Sequence, residues 1–278
     1  MKLICSILLI FTFTIVAFGQ RSECFPFEKL SPGKRKAAEE LLLKALDSEA
    51  LYTIVGDLKP MSSDFTNFQT EIRIPRDEKK AEERRNTLAK INDTREILRH
   101  FKCGENLFAD IHHFAKSFEG KRFSDAVIFN RKNLTRMLKD KSVFFDRWAI
   151  TPNSEPLQVL YAVDYDETGA RFGGYGYLFG YPDYAIRFFV EAADEEDFSG
   201  KFVERDFFSN PTFSSPKNGF VYAVPKGQTE TEVDKALKTK AMKIFEDYQI
   251  RREKYIGEGK KGVTEMLRDW LCDEKKSC

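Results

Sequence analysis

The apolar positions of this chain change period several times, and each change marks an element. Behind Ser31-Pro32, an N-cap followed by proline in the first turn, Ala37, Ala38, Leu41, Leu42 and Ala45 recur at helical spacing to about Asp47. A segment "EALYTIV" continues or restarts that helix before Gly56, and "TEIRI" predicts a short strand ahead of Pro75. Residues 77–101 predict a second long helix, with Ala81, Leu88, Ile91, Leu98 and Phe101 on its apolar stripe. After Gly104 the period drops to two. Leu107, Ala109, Ile111 and His113 alternate with Phe108, Asp110, His112 and Phe114, and "RFSDAVIFN" alternates again beyond Gly120, so the pair predicts a β-hairpin.

Helical spacing returns in "LTRMLKDKSVFFDRWAI" and stops before Pro152. In "LQVLYAVDY" the alternation of Leu157, Val159, Tyr161 and Val163 predicts a strand, although Leu157, Leu160 and Tyr161 also fit a helix. A glycine- and tyrosine-rich corner, "GGYGYLFGYP", leads into a helix from Pro182 to about Ala193. Two strands follow, "KFVERDFF" and "GFVYAVP". The pattern is strongest over residues 230–256, where Thr229 and Glu232 suit a capping box and Gly257 and Gly259 end the run; "VTEMLRDWL" gives a last short helix. Without internal repeat or linker, these elements predict one α+β domain over 21–278, with a mixed or antiparallel sheet and several long amphipathic helices packed on it.

The first twenty residues stand apart. Lys2 precedes an uncharged apolar run, and Ala17 and Gly19 place small residues ahead of Gln20, as in a secretory signal peptide. Export to a periplasm or the exterior is therefore expected, with no stable membrane insertion once the leader is removed. Lys+Arg number 45 against Asp+Glu 44, and the two signs interleave, which argues against nucleic acid as a partner. Cys24, Cys103, Cys272 and Cys278 remain beyond the leader; in an exported chain they predict disulfides, with three connectivities open. The 26 phenylalanines and 10 tyrosines supply a large core.

Three segments carry candidate chemistry. In the glycine–tyrosine corner, Tyr175, Tyr177 and Tyr181 are candidate ligand walls, though Asp183 at the following helix start disfavours a phosphate there. In the loop "GDLKPMSS", Asp57, Lys59 and Ser62 are candidate binding residues. In "DIHHF", Asp110 and His112 share a strand face, and with His100 they would offer three ligands to a divalent metal if the preceding helix folds back. No GxSxG, SxxK or phosphate-binding glycine motif is present. Two function classes follow. One is an exported protein binding a small molecule or cell-envelope component through aromatic side chains. The other is a hydrolase, metal-assisted through Asp110 and His112 or acid–base through carboxylates.

Overall fold

A computed structural model describes residues 21, 23–217 and 219–272. The expected leader at 1–20 and Cys278 lie outside the described residues. The helices are α1 (Pro32–Asp47), α2 (Leu51–Ile54), α3 (Glu78–Leu98), α4 (Arg131–Asp140), α5 (Ser142–Phe145), α6 (Pro156–Asp164), α7 (Thr168–Leu178), α8 (Asp183–Ser199), α9 (Glu232–Tyr255) and α10 (Val263–Leu271). The strands are β1 (Met61–Ser62), β2 (Asn67–Glu71), β3 (Leu107–Phe118), β4 (Lys121–Asn130), β5 (Arg205–Asn210) and β6 (Phe220–Pro225). All pairings are antiparallel, as expected for an α+β chain.

β4 is the centre of a four-stranded sheet. β3 lies along one side of it, while β1 and then β2 share the other. Alternation sends the two faces of the β3–β4 ladder into different cores. Leu107, Ala109, Ile111, Ala126 and Ile128 join a core built with α1, α3, α9 and α10. Phe108, Val127 and Phe129 join a second core with α4, α5, α6 and α7. The hairpin β5–β6 packs on α8 and holds a small third cluster with Ala185, Tyr222 and Val224. A disulfide between Cys24 and Cys103 ties the segment before α1 to the end of α3. Among the described residues, no helix is long and apolar enough to cross a membrane.

Several expectations need correction. "LQVLYAVDY" is helix α6, not a strand: Pro156, Val159, Leu160, Val163 and Asp164 are buried at helical spacing, and Glu155 with Gln158 forms a capping box in front of them. The glycine–tyrosine corner is itself helical, as α7. Its glycines serve close packing, for a Cβ on Gly174 would stand 2.6 Å from Val163 Cγ1 of α6. The strand expected in "TEIRI" begins earlier, at Asn67, and α8 runs on to Ser199. The capping box of α9 is Thr231 with Asp234, two residues beyond the pair expected. Leu88, expected on the buried stripe of α3, is 37% exposed.

Candidate functional site

The face of the sheet that looks toward α6 and α7 carries a polar row where an apolar one would be expected. Asn67 of β2, Asp125 of β4 and His112 of β3 stand directly opposite one another across three strands. Asp125 continues the series Phe129, Val127, so a carboxylate occupies an inward position. In the next row Gln69 opposes Phe123. Here β3 bulges: between the pairs His113–Ser124 and Ser117–Arg122, three residues of β3 face the single Phe123. A bulge strips ladder bonds and re-aims side chains. The freed carbonyls of Phe114 and Ala115 accept from Arg122 Nη1, and the Ala115 N–H donates to Asp164 Oδ2 at 2.6 Å.

Helix α7 roofs this floor. It contributes Arg171, Phe172 and Tyr175, and α6 ends with Asp164 beside them. Between roof and floor lies a cavity of about 550 Å³, also lined by Asp64, Phe114 and Lys116. His112 is 1% exposed, with its ring against Phe114 and Tyr161. Its Nε2 lies 3.2 Å from Asp164 Oδ2 and 3.4 Å from the Tyr175 hydroxyl, and its Nδ1 has no partner among the described residues.

The carboxyls of this cavity are driven in opposite directions. Burial favours protonation of Asp164, but hydrogen bonds from His112, the Ala115 N–H and Tyr175 outweigh it and hold the group below the usual carboxylate range. Burial pushes the Asp125 carboxyl up to about 6; the nearby charge of Asp64 adds to this and His112 opposes it. Among the described residues the Asp125 carboxylate receives no hydrogen bond and forms no ion pair. Tyr175 is raised above the usual phenol range by burial and then by the Asp164 charge.

Phe172 and Tyr175 line a second space as well. On it α7, α8 and the β5–β6 hairpin enclose an apolar pocket of about 290 Å³, whose other walls include Phe179, Tyr181, Ile186, Phe189, Phe207 and Tyr222. Tyr175 stacks on Phe179 and Tyr181 on Phe220, with centroids 5.7 Å apart in each pair. Behind these rings sits Lys59, wholly buried, its Nζ 4.5 Å from the Phe220 centroid and 5.2 Å from that of Phe179. Glu49 Oε2 is 2.7 Å from the ammonium, an ion pair rather than a directed hydrogen bond. Gly180 makes this packing possible: its φ is +75°, and a Cβ there would stand 2.4 Å from the Leu58 carbonyl oxygen.

The structure sorts the residues singled out in the sequence. Tyr175 and Tyr181 line the aromatic pocket, and Tyr175 joins it to the histidine strand. Tyr177 points elsewhere, onto the Phe144 ring and within 5.4 Å of the Lys141 ammonium. Lys59 is sealed beneath the pocket, and Ser62 is buried with its hydroxyl 2.8 Å from that of Thr53. Asp57 sits apart, with Arg136 and Lys240 near its carboxylate at 3.9 and 4.0 Å.

The three expected metal ligands are not gathered. Asp110 is engaged by Arg95 Nε at 3.1 Å, and His100 Nδ1 faces the Glu96 carbonyl at 3.2 Å. Helix α3, which leads to His100, packs its apolar stripe into the core on the opposite sheet face from His112, so it does not fold back as that site requires. Among the described residues the one cluster of three ligating side chains is Cys24, Cys103 and Cys272, and two of these are bonded to each other. Sequence reading missed Asp125, Arg171 and Phe172, and Asp164 stood out only as one acidic residue of a weak D-x-D calcium pattern with Asp166 and Glu167. Asp125 did carry a signal, as a carboxylate at an inward position of the β4 alternation, whereas Asp164 is inward only once 156–164 is helical. No known protein family, curated protein or solved structure matches this chain.

Proposed function

We propose that this chain binds an amphipathic small molecule, its apolar part in the aromatic pocket and its polar part in the cavity above Asn67 and Asp125. The observation that carries the reading is that one helix face, Phe172 and Tyr175, lines both spaces. Ligand sites commonly combine apolar walls with a few convergent polar groups in this way. The Cys24–Cys103 bridge supports an oxidising compartment, in keeping with the leader read at residues 1–20.

The test uses N-phenyl-1-naphthylamine, an uncharged probe that fluoresces in apolar surroundings. The full chain should enhance its fluorescence saturably. Ala223→Trp, which fills the pocket from β6, should abolish the signal while the thermal transition is retained. Tyr177→Phe, outside the pocket, should leave it unchanged. Saturable binding that survives Ala223→Trp places the probe elsewhere and defeats the reading.

A second reading, hydrolysis of the bound molecule, is favoured by the opposed behaviour of Asp125 and Asp164 in one cavity. A carboxyl that keeps its proton to near pH 6 suits a general acid. It requires turnover that falls as pH rises past 6 and is lost in Asp125→Asn.

A further inference from the structure

We infer that the polar cavity takes a hydroxyl-rich head, a sugar ring bearing an apolar substituent that continues into the aromatic pocket. This deepens the proposed binding function and rests on it. The cavity wall mixes hydrogen-bonding types. Asp125 accepts, Arg171 and Lys116 donate, and Asn67 does both. Phe114 and Phe172 add flat apolar surface. A sugar ring presents the same mixture, with hydroxyls that donate and accept at its rim and C–H groups on its faces.

Other heads fit worse. A phosphate or carboxylate would meet the Asp64 and Asp125 carboxylates, and an ammonium would meet Arg171 and Lys116 in the same wall. A purely apolar molecule would leave Asp125 as it stands, half-buried without a hydrogen bond. A hydroxyl placed over Asp125 donates to that carboxylate. The volume, about 550 Å³, lies within the range of small-molecule sites.

The experiment is calorimetric titration of the full chain with tail-matched amphiphiles below their micelle concentrations. The set is n-octyl β-glucoside, β-galactoside, α-mannoside and β-maltoside, with tetraethylene glycol mono-octyl ether and octyltrimethylammonium as controls. At least one glycoside should bind about tenfold or more tightly than the ether, since a site built around hydroxyls rejects an analogue that lacks them. Asp125→Asn should erase that margin while leaving affinity for the ether unchanged. If the ether or the ammonium compound matches every glycoside, or if Asp125→Asn keeps the margin, the sugar assignment is overturned and the apolar pocket stands. If no octyl compound binds at all, the assignment falls together with the binding function beneath it.

Discussion

Lys59 and Asp125 are both ionisable side chains withdrawn from bulk water, and they lie behind the two spaces that the Phe172–Tyr175 face divides. Their settings differ in every respect that matters. Lys59 is closed in, with a counter-charge at 2.7 Å, two aromatic faces over its ammonium, and its own carbonyl accepting from Asn133 Nδ2 at 3.2 Å. Burial lowers its affinity for the proton, and the charge of Glu49 works against that loss. Asp125 faces the open cavity and, among the described residues, receives no hydrogen bond. A sealed charge with its partner in place serves the fold. On the proposed binding function, a half-buried charge opening on a cavity is a cost offset when the ligand arrives. Of the two, the letters single out Lys59, and the structure reverses that order.

The contrast breaks most visibly at Lys59. Lys59→Ala removes the cation from Glu49 and the stem from between Phe179 and Phe220, and should cost about 3–4 kcal/mol of unfolding free energy in urea titrations. Lys59→Met keeps the stem's volume between the rings and should cost less than half as much, because it leaves no cavity and Glu49, 24% exposed, is reached by water. A neutral Lys59→Ala would mean that the lysine is not a structural plug and that the comparison is wrong.

Gly180 sharpens the same point with a smaller effect. Gly180→Ala should cost about 2–3 kcal/mol, since the new Cβ meets the Leu58 carbonyl while φ is held at +75°. The control is Gly120, at φ +76° with nothing within 4 Å of its Cβ position; Gly120→Ala should cost only about 1 kcal/mol. Equal losses in matched denaturation curves would show that the seal over Lys59 contributes nothing.

Much of the fold was legible because its elements are amphipathic. The hairpin at 107–130, up to the β3 bulge, and the helix at 232–255 each hold one period and bury most of the side it names, though Val233 is 58% exposed. Helix α6 was misread because nine residues are too few to separate the two periods when Leu157, Val159, Tyr161 and Val163 alternate by chance; Pro156 at its first turn was the better guide. Helix α7 was hidden by its glycines, which are poor helix formers and are retained where Val163 and Ile186 press close. The aromatic half of the site was visible as composition. The polar half was not, because Asn67, Asp125, His112 and Asp164 come from four elements and only strand register and the β3 bulge bring them together.

The smallest expected effect tests Asp125 directly. Its carboxyl titrates near 3.8 when unfolded and at about 6 in the fold, so between those values the folded state holds the proton more tightly. Its contribution to stability therefore falls as pH rises from about 4 to about 6 and is constant above. The shift would correspond to about 3 kcal/mol for a dry site, and cavity water reduces that to about 1 kcal/mol. Asp125→Asn removes the penalty. It should stabilise the chain by about 1 kcal/mol at pH 7.5 and leave it unchanged at pH 4. Asp64, Asp164, Lys116 and Arg171 face the same cavity, His112 acts on Asp125 from beneath it, and Asp164, held low in the fold, contributes stability that is lost as acid protonates it. These neighbours are present in both proteins, so the difference between the two pH–stability curves, rather than either curve alone, reports Asp125. A difference that does not change with pH would mean that this carboxyl is already satisfied, and that its likeness to Lys59 is closer than its place in the cavity implies.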